Sequence, residues 1–149
     1  MEERNSRIAV IADAHIGGPG GPAEPLVEQL ADLASGEPGR LILMGDLFHV
    51  WVGQRSYETK EIRQVVEALS DLRRAGWRLD YIEGNRDFFI AEGPYREVFD
   101  TVSDEVSFRV GDRSYLAVHG DGLNAEDRMY RFWRWLSKSP PSRFFMLHL

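Results

Sequence analysis

The chain has 149 residues, no cysteine, 43% hydrophobic and 11% aromatic content, and a formal net charge of −6. This excludes a disulfide framework and a thiolate metal site, leaving any transition metal to His, Asp, Glu, Asn or backbone oxygen. The length suits one domain with a real core, and the apolar run near the start is too short for a signal-peptide core or a membrane span.

Arg7-Ile-Ala-Val-Ile-Ala12 is a continuous apolar run of the kind expected for a strand buried on both faces of a parallel sheet, and it ends at Asp13-Ala-His15. The Gly17 to Pro22 loop has no Gly-Lys-Ser/Thr after it and reads as a connector rather than a phosphate cradle. Glu24 to Ala34 places Leu26, Leu30 and Leu33 on one helical face, with Pro25 suited to the first turn. Arg40 to Met44 is a second buried strand, ending at Gly45-Asp46. A helix from about Thr59 to Ala75 is expected to bury Ile62, Val65, Val66, Leu69 and Leu72, with Gly76 as its stop. Trp77 to Glu83 is a third strand, ending at Gly84-Asn85. Val106 to Val110 and Ser114 to Val118 form a hairpin across Gly111-Asp112 that runs into His119-Gly-Asp121. A last amphipathic helix is expected from Glu126 to Ser137, ended by Pro140-Pro141.

Four apolar strands therefore end in candidate ligands: Asp13 and His15, Asp46, Asn85, and His119. Strand C-termini are where loops converge in open α/β sheets, so these scattered residues are expected to meet. Oxygen and imidazole donors suit Mn²⁺, Zn²⁺, Fe²⁺ or Mg²⁺. A pair of ions about 3.5 to 4 Å apart needs a bridging carboxylate, for which Asp46 is the natural candidate. Taken singly the pieces are bland, since an Asp after a strand is usually a cap or turn residue and Gly-Asp and Gly-Asn are common turn pairs.

In order, however, Asp13-Ala-His15, Gly45-Asp46-Leu-Phe, Gly84-Asn85-Arg86-Asp87-Phe88 and His119-Gly120-Asp121 resemble the motifs of calcineurin-like metallophosphoesterases. Most of that superfamily has His after Gly-Asn; Arg86, with Gly45-Asp-Leu-Phe-His-Val-Trp-Val-Gly53 and the Tyr130-Arg-Phe run, is similar to the UDP-2,3-diacylglucosamine hydrolases of lipid A synthesis. The resemblance implies two divalent ions, usually Mn²⁺, with Asp13 and His15 on one, Asn85 and His119 on the other, and Asp46 on both. It implies Arg86 and His119 as catalytic residues, with Asn85, Arg86 and Asp127 binding substrate. The implied reaction is water attack on the phosphorus nearer the uridine, releasing UMP and lipid X. The implied fold is α/β, the N-terminal portion of a two-sheet β-sandwich flanked by helices.

The superfamily completes its metal site with a Gly-His-x-His motif, which this sequence lacks; the only later histidine, His148, is expected to be a partly exposed residue at a frayed end. Residues 1–149 are thus expected to form one domain lacking its C-terminal part. His49 stands where the family commonly has an acid and reads as a loop residue rather than a ligand. Residues 126–149 form a basic aromatic helix and tail: from Arg128 onward five basic residues (Arg128, Arg131, Arg134, Lys138, Arg143) meet no acid and alternate with Tyr130, Phe132, Trp133, Trp135, Phe144 and Phe145. That composition suits either a cytoplasmic membrane face holding a nucleotide-linked lipid substrate or packing against further protein. The acidic body disfavours nucleic acid. The expected location is cytoplasmic, peripheral on the inner membrane. The competing readings are a phosphodiesterase or nuclease with other substrates, and an inactive fragment.

Overall fold

The structure is a computed structural model and describes residues 7–121 and 127–148. The charged residues before Arg7 and the helix start expected at Glu126 lie outside the described residues. Chain order is β1 (Ile8–Ile11), α1 (Glu24–Ala34), β2 (Arg40–Leu43), β3 (Trp51–Val52), α2 (Lys60–Arg74) and β4 (Arg78–Ile82). β5 (Asp87–Phe88), β6 (Thr101–Ser103), β7 (Glu105–Val110), β8 (Arg113–Val118), α3 (Arg128–Ser137) and α4 (Pro140–His148) follow. β1, β2, β4 and β6 form a parallel sheet with neighbours β1-β2-β4-β6. β3 and β5 make a two-stranded parallel pair, and β7 and β8 the expected hairpin. The fold is α/β, as the alternation of buried strands and amphipathic helices requires.

The two faces of the sheet are covered unequally. α1 and α2 press Leu26, Leu30, Ile62, Val65, Leu69 and Leu72 onto one face, against Leu41, Leu43, Leu79 and Tyr81. Val66 lies at the margin of that core and is half-buried. On the opposite face Ile42 and Ile82 meet Val106 and Ala117 of the hairpin, the start of a second layer. β1 departs from the expectation of burial on both faces. It lies at an end of the sheet; Ala9 and Ile11 pack on the main core, while Val10 points the other way and is 48% exposed.

Local chemistry accounts for the helix ends. The Thr59 hydroxyl accepts from the Ile62 N–H at 3.3 Å and caps α2; the Asp127 carboxylate accepts from the Tyr130 N–H at 2.8 Å and caps α3. Pro140-Pro141 follow the end of α3, as expected, but they then open α4, because a proline in the first turn gives up only an N–H that has no intrahelical partner. His148 lies in the last turn of that helix, exposed, stacked on Phe144 with Nδ1 3.0 Å from its carbonyl oxygen.

One buried charge ties three strands together. Asp80 of β4 is fully buried and accepts from Arg40 Nε at 2.6 Å, from Arg78 Nε at 3.2 Å and from the Thr101 hydroxyl. Burial alone would push its pKa up, but the hydrogen bonds from Thr101, Arg40 and Arg78 win and hold it below its ordinary value. A carboxylate with a depressed folded pKa stabilises fully above the unfolded value of about 3.9, and that contribution is lost as pH falls through the folded value. Asp80→Asn is therefore expected to lower stability at pH 7 and to flatten its acid-side decline, as read by urea unfolding between pH 7 and pH 3.

Candidate metal centre

The candidate ligands sit in the loops that leave β1, β2, β4 and β8 at their C-terminal ends. The first two loops continue the β1-β2 pairing: the Asp13 N–H donates to the Gly45 carbonyl at 3.3 Å, and the His15 N–H to the Asp46 carbonyl at 2.9 Å. Asp13 (φ 51°), His15 (φ 48°) and Asp46 (φ 50°) all adopt left-handed backbone conformations. Each non-glycine residue held there costs on the order of 1 kcal/mol or more, and such strain gathers at functional sites.

Three of these side chains converge. Asp13, Asp46 and His119 each present a donor atom within 4.8 Å of the other two. His119 Nε2 is 3.2 Å from Asp13 Oδ1 and 3.5 Å from Asp46 Oδ2. His15 Nε2 stands next to them, 3.6 Å from Asp13 Oδ1 and 4.0 Å from Asp46 Oδ2. Asn85 lies between Gly84 and Arg86, and the Arg86 backbone N–H donates to Asp46 Oδ1 at 2.9 Å. The Asn85 side chain has no hydrogen bond among the described residues. Asp127 acts as the cap of α3, outside the convergent group.

Two glycines permit this approach. A β-carbon on Gly84 would lie 2.3 Å from Asp46 Oδ1 and 2.9 Å from His119 Nε2; one on Gly45 would lie 2.6 Å from the Gly84 nitrogen. The glycines of Gly45-Asp46 and Gly84-Asn85 thus let two backbones and an imidazole meet where any side chain would intervene.

Residues without a role in the sequence reading support the group from behind. Asp87 is fully buried, and its Oδ2 accepts from the Asp46 N–H at 3.1 Å, the Gly84 N–H at 2.8 Å and the Tyr81 hydroxyl at 2.8 Å, locking the β2 and β4 loops together. Burial outweighs these donors and pushes the Asp87 carboxyl up to about 6, with Asp46 adding like-charge repulsion. Asp121 Oδ1 lies 3.5 Å from His119 Nδ1, while its Oδ2 meets Arg134 Nε at 2.9 Å and accepts from the Tyr130 hydroxyl at 3.0 Å. The Asp121 carboxylate stands behind the imidazole without a hydrogen bond to it, and His119 Nδ1 is buried with no hydrogen-bond partner among the described residues, while the opposite nitrogen, Nε2, faces Asp13 and Asp46. Burial and the bond to Asp121 push the Tyr130 hydroxyl up to about 12. Lys138 Nζ donates to the Gly84 carbonyl at 3.1 Å, bringing the end of α3 to the same loop. Asp87 and Asp121 lie inside the motifs quoted above, the one signal that could have marked them.

The donor set fits a divalent cation. Two carboxylate oxygens and an imidazole nitrogen, with no sulfur, are a combination suited to Mn²⁺, Mg²⁺, Fe²⁺ or Zn²⁺, and a cation would relieve the repulsion between two carboxylates converging on one ring nitrogen.

No protein-family profile matches the chain. It is 36% identical over 101 residues to a UDP-2,3-diacylglucosamine hydrolase of Chromohalobacter salexigens, a match that covers 67% of this chain and 41% of that protein. It is 32% identical over 143 residues to the UDP-2,3-diacylglucosamine hydrolase of Ralstonia nicotianae, covering 93% and 53%. The hydrolase of Pseudomonas syringae pv. syringae is 28% identical over 146 residues, covering 95% and 57%. The chain spans about half the length of these relatives.

Proposed function

From a chain that belongs to the UDP-2,3-diacylglucosamine hydrolase family, we infer a calcineurin-like metallophosphoesterase that hydrolyses the pyrophosphate bond of UDP-2,3-diacylglucosamine in lipid A biosynthesis. The supporting observation is the convergence of Asp13, Asp46 and His119 from three separate loops, two of them on strained left-handed aspartates. Asp13 and His15 would hold one ion, Asn85 and His119 a second, and Asp46 both, with Mn²⁺ as the expected metal. When bound, the ions supply positive charge to the phosphate oxygens and acidity to the attacking water.

The protein's own groups do the rest. The oxygen of water bonds to the phosphorus nearer the uridine, and the bond from that phosphorus to the bridging oxygen breaks, giving UMP and the acylated sugar phosphate, lipid X. Asp46 is held for this by the Arg86 N–H on Oδ1, which leaves Oδ2 facing the centre. Arg86 offers guanidinium donors whose fork matches phosphate oxygens. An arginine suffices where most metallophosphoesterases carry a proton-donating histidine, because this leaving group is a phosphate monoester with a second pKa of roughly 6 and departs without a proton. An alkoxide leaving group would need the acid. Reaction in ¹⁸O-water is expected to place the label in UMP; label in the sugar phosphate would overturn the assignment of the attacked phosphorus.

α3 and α4 present Met129, Phe132, Trp133, Trp135, Phe144 and Phe145 exposed among five basic residues, with Trp133 59% and Trp135 67% exposed. No helix among the described residues is long and apolar enough to cross a membrane. This aromatic face supports peripheral contact with the cytoplasmic membrane surface, where the acyl chains of the substrate reside. Co-sedimentation with anionic vesicles that weakens with salt and is lost in Trp133→Ser/Trp135→Ser is the expected result; equal sedimentation of both proteins would count against it.

A further inference from the structure

Arg86 meets His49, which reads in the sequence as a loop residue. Its Nη1 lies 3.3 Å from His49 Nδ1 and donates to the His49 carbonyl at 3.2 Å, two contacts spanning 37 positions of chain. The surroundings fix both partners. The Trp51 N–H donates to the Arg86 carbonyl at 2.9 Å, the first rung of the β3-β5 pair, and the Arg86 N–H is spent on Asp46. The His49 N–H donates to the Ile16 carbonyl at 2.8 Å, and a β-carbon on Gly18 would stand 3.6 Å from the His49 ring, so the glycine loop after His15 lies against its other side.

We propose that His49 is a positioning residue that holds the Arg86 guanidinium so that its Nε–Nη2 edge faces the substrate phosphate. The inference rests on the functional reading above. An arginine nitrogen cannot accept a hydrogen bond, so the Nδ1 contact is a bond only with His49 neutral and its proton on Nε2. Nη1 then uses both of its hydrogens on His49. Nε and Nη2 have no hydrogen-bond partner among the described residues, and together they form the two-pronged edge that fits two phosphate oxygens. A guanidinium fixed in advance loses less freedom when substrate arrives, so His49 acts on turnover without touching the substrate.

The test is a double-mutant cycle on UMP release from UDP-2,3-diacylglucosamine, with Mn²⁺ titration and thermal unfolding measured on each variant. His49→Leu should lower kcat/KM by about tenfold to a hundredfold, the range of one hydrogen bond to a charged group, with Mn²⁺ affinity and unfolding temperature unchanged. His49→Asn, whose amide oxygen takes the place of Nδ1, should recover most of that loss. In an Arg86→Gln background His49→Leu should cost nothing further. Nitrogen-15 spectra of the imidazole should show an unprotonated Nδ1 shifted by a hydrogen bond in the parent protein and lose that hydrogen-bond shift in Arg86→Gln. Full activity in His49→Leu, or a loss that adds to that of Arg86→Gln, overturns the positioning role. Unimpaired Arg86→Gln would instead overturn the phosphate role of Arg86 on which it rests.

Discussion

Replacing Asp46 by alanine is expected to abolish Mn²⁺ binding, whereas Asp13→Ala is expected to remove mainly one ion's worth. The two aspartates differ in how they are built in. Asp46 is 2% exposed, its Oδ2 faces both His119 and His15, and its Oδ1 is fixed by the Arg86 N–H. The Asp13 side chain also lies near both imidazoles, 3.2 Å from His119 Nε2 and 3.6 Å from His15 Nε2, but it is 57% exposed and no backbone N–H fixes its second oxygen among the described residues. A buried carboxylate held by a backbone N–H is fixed in place to serve two ions, whereas an exposed one is free to turn toward a single ion. Loss of an outer-sphere partner alone typically weakens metal binding tenfold to a hundredfold, so loss of the central ligand should exceed about a hundredfold. Calorimetric titration with Mn²⁺ reads both stoichiometry and affinity. Equal losses in the two variants would contradict a bridging Asp46.

Gly84→Ala should be nearly as damaging, although it removes no ligand. The added carbon would stand 2.3 Å from Asp46 Oδ1 and 2.9 Å from His119 Nε2, so the carboxylate, the ring or the loop must move. Overpacking of this kind costs roughly 1 to 3 kcal/mol, and here the displaced atoms are the ligands themselves. Asp87 prevents easy relaxation, because the Gly84 and Asp46 N–H groups both donate to its Oδ2. The informative control is Gly111→Ala in the β7-β8 turn, where φ is 57° and nothing lies within 4 Å. That change should cost about 1 kcal/mol through backbone strain alone and leave Mn²⁺ affinity unchanged. If Gly84→Ala binds Mn²⁺ as tightly as the parent, the close approach of the two loops is not what the site requires.

Much of this arrangement is legible in the sequence because it is local. β2 is a short apolar run and β4 keeps Leu79, Tyr81 and Ile82 around one buried charge, both flanked by polar loops, and α1 and α2 carry their apolar residues at helical spacing, so strand ends and ligand order follow together. β3, β5 and β6 have two or three residues each, too few to show a period, and exist because partners elsewhere in the chain complete their hydrogen bonds. The burial of β1 is misjudged for a related reason: its composition is that of an interior strand, but its exposure depends on what covers the far face. Pro140-Pro141 read in the sequence as a stop, and that they also open a helix depends on the chain beyond them. The left-handed backbones of Asp13, His15 and Asp46 leave no mark in sequence, since aspartate and histidine are ordinary loop residues. The Asp87 anchor, joining loops 41 positions apart, and the His49 contact to Arg86 are long-range facts that spacing cannot reveal.

The most direct test of the metal-centred hydrolase is UMP release from UDP-2,3-diacylglucosamine by the purified 149-residue protein with Mn²⁺, beside a chelator-treated sample and Asp46→Asn. The account predicts release that disappears in both controls. Release that persists in chelator or in Asp46→Asn, or none from folded protein that has demonstrably taken up Mn²⁺, would contradict it.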